Sequence, residues 1–283
     1  MNFFKKNKLP NAVPWLVFDE TVVVLLILIF GTFYYTYRTL SSVKEDQKQS
    51  NISITSSDLS SYLEGVVQVV CLSDDNKLSS GSGVLWKFDT DKYGVLTNYH
   101  VISNTKKCVI SMDDINNKSS GIFAVENNKD LYDKNKDVAI LNIKENLSAT
   151  SSTKVSDYNY NLSSLRKCPS KIPVGTPVSI IGYPSYTKRD TTTNIKGMGD
   201  VSTVYRATTN GIISSYDNST MKSTNGISNE NYFVSAKIDI GNSGGAALGK
   251  DKDGMCLLGI PTWVTVGDYE TQGLIQNIAN VIP

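Results

Sequence analysis

The stretch Ile238-Asp-Ile-Gly-Asn-Ser-Gly-Gly-Ala-Ala-Leu248 leads from an apolar run into a glycine-dense turn with one serine, Ser243, at its centre. Glycine on both sides of a serine permits a tight backbone that a residue with a Cβ would strain. Such a turn can present the hydroxyl beside two backbone amides, the donors that acyl transfer needs at a developing oxyanion. Because most glycine-rich turns are only turns, a chemical role for Ser243 requires partners elsewhere in the chain.

The composition is that of a globular protein. Of 283 residues, 40% are hydrophobic and 19% are charged, which excludes an intrinsically disordered chain. The net charge of +1 offers no strongly basic surface, so we expect no nucleic-acid partner. A single histidine and the absence of a CxxC pair exclude a Cys/His zinc site of the usual kind, and we expect neither a metal nor a cofactor.

Four widely spaced cysteines leave two alternatives open. They are Cys71, Cys108, Cys168 and Cys256. An even number permits disulfides if the domain lies in an oxidising compartment. Three of the four lie in apolar, strand-like runs. There, buried free thiols that pack as small hydrophobic side chains are expected at least as much as disulfides.

An apolar segment near the amino terminus predicts a membrane anchor. Thr21 to Tyr37 contains no charged residue, and with Trp15–Phe18 before it the segment can span a bilayer core of roughly 30 Å. Tryptophan at one end and tyrosines at the other are typical of the two membrane interfaces. A cleaved signal peptide is the alternative. However, bulky aromatic residues and Arg38 follow the apolar core, and no A-x-A-like cleavage site is present.

We therefore predict four regions: a short cytoplasmic segment over residues 1–14, one transmembrane helix over 15–37, a juxtamembrane tether over 38–58, and one domain over 59–283. The lysines clustered near the amino terminus favour a cytoplasmic location for that end. The expected location is a bacterial cell membrane, with a single span in the lipid bilayer and the domain on the extracytoplasmic side.

From about residue 60 onward the sequence is typical of short strands. β-Branched and aromatic runs such as Val66–Leu72, Cys108–Met112 and Val138–Ile143 alternate with Gly, Asn, Asp and Ser. Many short strands with little helix predict an all-β barrel or sandwich. A polar stretch over residues 144–175 separates two strand groups of similar size, so we predict two subdomains, about 59–150 and about 170–283.

Two residues have the chemistry that Ser243 would require. His100 is the only histidine and lies at the end of the β-like run Gly94-Val-Leu-Thr-Asn-Tyr-His100, so any histidine-dependent mechanism has this single candidate. Asp137 precedes the apolar strand Val138–Ile143, where an acid can orient an imidazole through Nδ1–H. The order along the chain is therefore His100, Asp137, Ser243.

That order separates two possible folds. Gly241-Asn-Ser-Gly-Gly245 fits the G-x-S-x-G nucleophile elbow of α/β-hydrolases. In that fold the histidine follows the serine, whereas no histidine follows Ser243 here. The order histidine, aspartate, serine is that of the chymotrypsin-type double barrel, which also agrees with two strand groups.

Several sequence blocks, in the same order, resemble the trypsin-like serine peptidases of the HtrA-like group over about residues 60–283. They are Gly81-Ser-Gly-Val-Leu85, Leu96-Thr-Asn-Tyr-His-Val-Ile102, Asp137-Val-Ala-Ile-Leu141, Val178-Ser-Ile-Ile-Gly-Tyr-Pro184 and Gly241-Asn-Ser-Gly-Gly245. The resemblance implies an all-β fold of two six-stranded β-barrels with the active site between them. It implies His100 as general base and acid, Asp137 as its orienter and Ser243 as nucleophile. The amides of Gly241 and Ser243 would form the oxyanion hole.

The chain departs from the related enzymes at three places. Asn242 stands where digestive trypsin relatives have an aspartate that pairs with a new amino terminus, so we expect no activation by amino-terminal cleavage. The HtrA-like enzymes usually have a PDZ module after the peptidase domain, and we expect this chain to lack one. The segment Thr187–Ser202 is longer than the family's usual loop, which predicts either a regulatory or substrate-facing loop or a floppy insertion.

The substrate pocket is implied by alignment with the same family. It would be lined by residues from Ala236–Ile240, Ile260–Trp263 and roughly Thr271–Leu274. Lys237 falls where a pocket-floor residue would lie and would then favour acidic or polar P1 side chains; the alternative is that it points to solvent. The other candidates are Ile260, Pro261, Thr262 and Trp263, of which Trp263 either narrows the pocket or packs against the barrel.

Together these observations predict a membrane-tethered serine endopeptidase that hydrolyses peptide bonds through a His-Asp-Ser triad and an acyl-enzyme. Its substrates would be proteins or peptides, in envelope protein quality control or in processing. The alternative is a catalytically silent module of the same fold that binds peptides or protein partners.

Overall fold

The computed structural model describes residues 27–40, 53–89, 92–127, 133–134, 136–147, 166–169, 171–217, 230–266 and 271–281. They fall into two compact units, residues 1–51 and 52–283. In the first unit, residues 27–40 form helix α1, whose apolar side chains such as Phe30 and Phe33 are exposed. No helix within the described residues is both long enough and apolar enough to cross a bilayer. The predicted membrane span includes residues 15–26, which lie outside the described residues, as do the predicted cytoplasmic segment and residues 41–52 of the predicted tether.

Among the described residues of the second unit, helix α2 (Ser56–Leu63) comes first and strands make up most of the regular structure that follows. The first six are β1 (Val66–Ser73), β2 (Leu78–Asp89), β3 (Lys92–Thr97), β4 (Thr105–Asp113), β5 (Ser119–Asn127) and β6 (Ala139–Asn146). They form a closed antiparallel barrel in the order β1-β2-β3-β6-β5-β4, which we call barrel one. A short helix, α3 (Tyr99–Ile102), lies between β3 and β4.

The remaining strands are β7 (Pro177–Gly182), β8 (Lys188–Ile195), β9 (Gly199–Val204), β10 (Ala207–Asp217), β11 (Asn231–Val234), β12 (Ala246–Asp251), β13 (Gly254–Val266) and β14 (Thr271–Asn277), followed by helix α4 (Ile278–Val281). Six of these close barrel two in the order β10-β11-β14-β13-β12-β7. The prediction of an all-β fold with two six-stranded barrels is confirmed. β8 and β9 form a separate hairpin between β7 and β10, where the sequence predicts only a long loop.

The apolar residues of β1, interrupted only by the buried Gln68, result from burial on both faces of the strand. Side chains alternate along a strand, and Val67, Val69 and Cys71 point into the interior of barrel one. On the opposite face, Val66 packs into the core between the barrels, and Val70 packs against the hairpin. Because neither face meets water, the sequence of β1 shows no apolar-polar alternation.

One apolar cluster joins the two barrels. Barrel one supplies Val66, Val84, Trp86, Leu96, Val138 and Ile140, and barrel two supplies Ile181, Tyr183, Ala246, Leu248, Leu257 and Ile260. Leu59 of α2, Val204 of β9 and two residues of α4 complete it. The barrels therefore share a core, and residues at their contact are held in fixed relative positions.

All four cysteines are paired. Cys71 and Cys108 lie directly opposite each other in the β1–β4 register and form one disulfide. Cys168 and Cys256 form the other, which links the segment before barrel two to β13. The structure thus decides between the two alternatives in favour of disulfides.

Candidate active site

His100 and Asp137 lie together because the strands beside them are paired. β3 ends at Thr97 and β6 begins at Ala139, and these two residues are antiparallel partners. His100 and Asp137 therefore emerge at the same end of barrel one. The Nδ1 atom of His100 lies 2.7 Å from Oδ2 of Asp137. The side chain of Asp137 is 12% exposed and that of His100 is 38% exposed, so the carboxylate is enclosed while the imidazole stays accessible.

The loop that holds Asp137 has an unusual backbone and a buried side-chain anchor. Asp137 has φ of +49°, in the left-handed region that aspartate tolerates better than most residues. The buried side chain of Asn98 donates to the Asp137 carbonyl at 3.0 Å and to Oγ1 of Thr262 at 3.1 Å. Asn98 thereby connects this loop of barrel one to β13 of barrel two. From sequence alone, Asn98 carries no sign of this role.

The turn at Ser243 needs glycine for two separate reasons. Gly241 and Gly244 have φ of +99° and +82°, which residues with a Cβ rarely adopt. In addition, a Cβ at Gly244 would lie 2.3 Å from Oγ1 of Thr97 and 2.4 Å from the carbonyl oxygen of Ser82. The turn can therefore approach barrel one closely only because its residues lack side chains.

Ser82 links the Ser243 turn to barrel one and to β7. Its amide donates to the Ser243 carbonyl at 2.8 Å, and its hydroxyl donates to the Gly241 carbonyl at 2.6 Å. The same hydroxyl accepts from the Tyr183 amide at 2.8 Å. Burial raises the pKa of the Tyr183 phenol, so Tyr183 remains neutral and packs in the core. The sequence alone assigns no role to Ser82; its only signal is a hydroxyl between two glycines.

The Gly241 amide is oriented by the residue before it. The Ile240 carbonyl accepts from the Ser185 amide at 2.9 Å. In a planar trans peptide the C=O and N–H groups point in opposite directions, so the Gly241 N–H points away from Ser185. Among the described residues, none accepts a hydrogen bond from this amide.

The Ser243 amide is oriented in the same way. The Asn242 carbonyl accepts from the Gly245 amide at 3.0 Å, which turns the Ser243 N–H away from Gly245. Within the described part of the chain this amide also lacks an acceptor. Two backbone donors of one turn are thus available to an external oxygen atom.

The Ser243 turn and helix α3 pack on the same part of β2. A Cβ at Gly81 would lie 2.7 Å from Cγ1 of Val101, the residue after His100, and 3.3 Å from the Ser243 carbonyl oxygen. The structure therefore brings the nucleophile candidate next to the residues that flank His100. Among the described residues, Ser243 forms its hydrogen bonds through its backbone. Hydrogen bonds to a catalytic hydroxyl often tighten only when substrate binds.

Most of the four pocket candidates in β13 pack in the core or form hydrogen bonds within the domain. Ile260 is fully buried in the core between the barrels, and the Pro261 carbonyl accepts from the Gly244 amide at 3.0 Å. Thr262 is 5% exposed, and its hydroxyl donates to the Ile260 carbonyl at 3.2 Å. The backbone of Trp263 belongs to β13, while its side chain lies outside what the structure describes.

Lys237 points away from the barrel interior. Its Nζ atom lies 2.9 Å from Oδ2 of Asp239 and its side chain is 69% exposed. The ammonium also lies 5.2 Å from the centre of the Tyr186 ring. The hydrogen bond with Asp239 raises the pKa of Lys237. These contacts favour the solvent-facing alternative for this residue.

Comparison with known proteins gives a family and a fold. The sequence profile of the trypsin-like peptidase domain matches residues 81–260. A comparison with curated proteins finds no match.

The solved structures that are similar to this chain include two forms of one bacterial protease and a second bacterial protease. The Rv3671c protease of M. tuberculosis in its active form is 21% identical with a TM-score of 0.52, over 79% of this chain and 80% of that one. The inactive form of the same protease is 18% identical with a TM-score of 0.51, over 79% and 88%. The serine endoprotease of Yersinia pestis is 24% identical with a TM-score of 0.52, over 78% and 61%. At these identities the likeness establishes the fold.

Proposed function

This chain belongs to the family of trypsin-like peptidase domains, and we therefore propose that it is a serine endopeptidase. Ser243 is the nucleophile, His100 the general base and acid, and Asp137 the residue that orients His100. The main observation in support is the hydrogen bond between His100 Nδ1 and Asp137 Oδ2 at 2.7 Å. The Ser243 turn adds two backbone amides, those of Gly241 and Ser243, that no described residue accepts from.

The reaction begins with proton transfer from the Ser243 hydroxyl to Nε2 of His100 as the oxygen attacks a peptide carbonyl. Asp137 keeps the proton of the neutral imidazole on Nδ1, so that Nε2 is free to accept. It also stabilises the imidazolium that forms. His100 then protonates the leaving amine. Water repeats the sequence on the acyl-enzyme and releases the second product.

The negative charge of the tetrahedral intermediate is held by backbone amides. The donors are the N–H groups of Gly241 and Ser243. In each case the carbonyl of the preceding residue binds a protein amide, so the N–H group points the other way, toward the substrate oxygen. Preorganised donors of this kind contribute about 10²- to 10³-fold each to turnover. This arrangement requires no metal and no cofactor.

We further propose that the acyl part of the substrate binds along β13 as an additional strand. β13 pairs with β12 only from Gly254 to Gly259, whereas its pairing with β14 continues to Val266. Beyond Gly259, one edge of β13 is therefore not paired with another described strand. This part of β13 lies beside the Ser243 turn, because the Pro261 carbonyl accepts a hydrogen bond from the Gly244 amide. An open strand edge binds extended peptides through main-chain hydrogen bonds.

The HtrA-like assignment and the membrane tether belong to the same proposal. The described part of the predicted span is helical, and its threonines are compatible with lipid: Thr32 and Thr36 donate to carbonyls of their own helix at 2.9–3.0 Å. Hydroxyls satisfied in this way can enter an apolar phase at low cost. Two disulfides fit an oxidising, extracytoplasmic location for the second unit. Carbonate extraction of membranes from cells that express the full chain tests the tether, which requires the chain to remain in the membrane pellet.

Hydrolysis of a fluorescently labelled casein by the purified full chain tests the enzymatic proposal. We expect turnover by the native protein and its loss in His100→Ala. The folded state of the variant is checked by circular dichroism. A folded native chain that binds casein without cleaving it would instead support a catalytically silent peptide-binding module.

A further inference from the structure

The β8–β9 hairpin belongs to the sequence of barrel two but packs on barrel one. Its apolar residues Ile195, Met198 and Val201 are buried against Val70 and Val109 of barrel one. At its end, the Val204 amide donates to the buried side chain of Gln68 in β1 at 3.1 Å. The hairpin is therefore an ordered contact between the two halves of the domain, and the alternative of a flexible insertion is wrong.

A buried ion pair fixes the start of this hairpin. Arg189 of β8 binds Asp113 of β4 through Nη2 and Oδ2, and their side chains are only 7% and 1% exposed. The Arg189 guanidinium also lies 4.8 Å from the centre of the Tyr205 ring. The neighbouring Arg206, itself buried, donates to the Asp114 carbonyl at 2.8 Å. Isolated ion pairs are costly to bury, so this one contributes more to a defined position than to stability.

The residues just before Arg189 form a tight turn. Thr187 and Tyr205 close the base of the hairpin, with the Tyr205 amide donating to the Thr187 carbonyl at 2.7 Å. The Thr187 hydroxyl donates to the carbonyls of Tyr205 and Pro184 at 2.6 and 2.8 Å. Because these hydrogen bonds join the turn Pro184–Thr187 to the base of the hairpin, the contact of Arg189 with barrel one also fixes the turn.

This turn contacts the candidate oxyanion hole. The Ser185 amide is the donor that holds the Ile240 carbonyl at 2.9 Å. A Cβ at Gly241 would lie 2.4 Å from the Tyr183 carbonyl oxygen and 3.1 Å from the Ser185 amide nitrogen, so the two segments are in direct contact. If the turn moved away, the Ile240–Gly241 peptide would lose the contact that orients the Gly241 N–H.

We propose that Arg189 is a positioning residue for the oxyanion hole. By binding Asp113 it docks the hairpin on barrel one and holds the Ser185 amide where it orients the Ile240–Gly241 peptide. This inference rests on the proposed peptidase function, because it assigns to Arg189 a part in stabilising that reaction's tetrahedral intermediate. It also makes the oxyanion hole of barrel two depend on the contact between the barrels.

The test compares two Arg-to-Met variants of the full chain. Arg189→Met removes the proposed positioning contact. Arg166→Met is the matched control. Within the described residues, Arg166 donates two hydrogen bonds to Asp251, at 2.6 and 3.1 Å, and one to the Gly254 carbonyl, and none to the hairpin or the turn. For each variant, kcat and KM are measured on a fluorogenic peptide selected with the native protein. The affinity for a peptide boronic acid, which forms a tetrahedral adduct on serine, is measured alongside.

We expect Arg189→Met to lower kcat about 10²-fold, the effect of losing one oxyanion donor, with KM changed less than about threefold. The boronic acid should lose affinity in parallel with kcat, whereas Arg166→Met should change neither. The double variant Asp113→Leu/Arg189→Met, which replaces the pair by apolar groups, should dock the hairpin by packing and recover most of kcat. An unchanged kcat in folded Arg189→Met, or an equal loss in Arg166→Met, overturns the proposal.

Amide hydrogen exchange separates this proposal from the peptidase function itself. The Ser185 amide should be protected in the native protein and lose protection in Arg189→Met, whether or not the chain hydrolyses peptides. Equal protection in both proteins contradicts the coupling. An inactive native chain that shows the expected loss of protection would instead overturn only the peptidase function.

Discussion

His100 and Asp137 are joined by two hydrogen bonds, one through each oxygen of the carboxylate. Oδ2 lies 2.7 Å from the ring Nδ1, and Oδ1 accepts from the His100 backbone amide at 2.8 Å. The backbone contact fixes the carboxylate plane, and the ring contact fixes the imidazole. Asp137 is thus placed to select the tautomer of His100, which is the role that the proposed mechanism requires.

Asp137→Asn should leave the fold intact and reduce kcat by about 10⁴-fold. An asparagine oxygen can still accept from the His100 amide, but its NH₂ group then faces Nδ1 and forces the ring proton onto Nε2. Nε2 can no longer accept the proton of Ser243. Asparagine also tolerates the φ of +49° at this position. Kinetics together with the melting temperature check this; a kcat loss below tenfold in a folded variant would contradict the assigned role.

Ser82→Ala should lower both stability and turnover. The substitution deprives the Gly241 carbonyl and the Tyr183 amide of the hydroxyl that both contact in a fully buried site. A buried polar group left without a partner costs about 1–3 kcal/mol, and the freed Gly241 carbonyl loosens the oxyanion turn. Urea unfolding and kcat are the measurements. Ser79→Ala, at an exposed position of the same strand, is the control and should be neutral.

Gly244→Ala and Gly175→Ala separate backbone strain from steric contact. Both glycines have positive φ, +82° and +88°. A Cβ at Gly175 meets no atom within 4 Å, whereas one at Gly244 would lie 2.3 Å from Oγ1 of Thr97. We expect a loss of about 1–2 kcal/mol for Gly175→Ala. Gly244→Ala should lose more stability and more than 10² in kcat. Similar unfolding midpoints for the two variants would show that the close approach is not needed.

Helix α2 should contribute less to stability in acid. The hydrogen bond from Lys250 and the amide of Thr55 lower the pKa of Asp58 to about 2, from an ordinary value of 3.8. A lowered folded-state pKa means that the ionised carboxylate stabilises the fold above about pH 4, and that this contribution is lost as pH falls toward 2. The native chain should therefore exceed Asp58→Asn in urea midpoint at pH 6, and the difference should shrink at pH 2.5. A difference of the same size at both pH values would point to helix capping instead of charge.

The parts of the fold that follow from local sequence could be predicted. Three short-range patterns indicate the site: the glycines around Ser243, Asp137 before a buried strand, and His100 after a different strand. The order of these three residues along the chain selects the double barrel. The β3–β6 pairing then brings His100 and Asp137 together. Apolar strand runs similarly predict an all-β barrel or sandwich, and the resemblance to the trypsin-like peptidases implies two barrels, but neither specifies the register.

The parts that depend on distant contacts could not be predicted. Four cysteines allow three pairings, and only the β1–β4 register places Cys71 opposite Cys108. The contact between Asp113 and Arg189 joins residues 76 positions apart, so the segment around Arg189 looks like an ordinary polar loop in the sequence. Ser82 likewise gains its role from a turn that follows more than 150 residues later.

Labelling of the purified full chain with a fluorophosphonate, followed by peptide mapping, tests whether Ser243 is an activated nucleophile. The reagent reacts with a serine only when a base activates the hydroxyl and an oxyanion hole receives the phosphoryl oxygen. We expect a single adduct on Ser243 in the native protein and no adduct in folded Ser243→Ala. A folded native protein that remains unlabelled, or that carries its adduct on a different residue, would show that Ser243 is not the nucleophile.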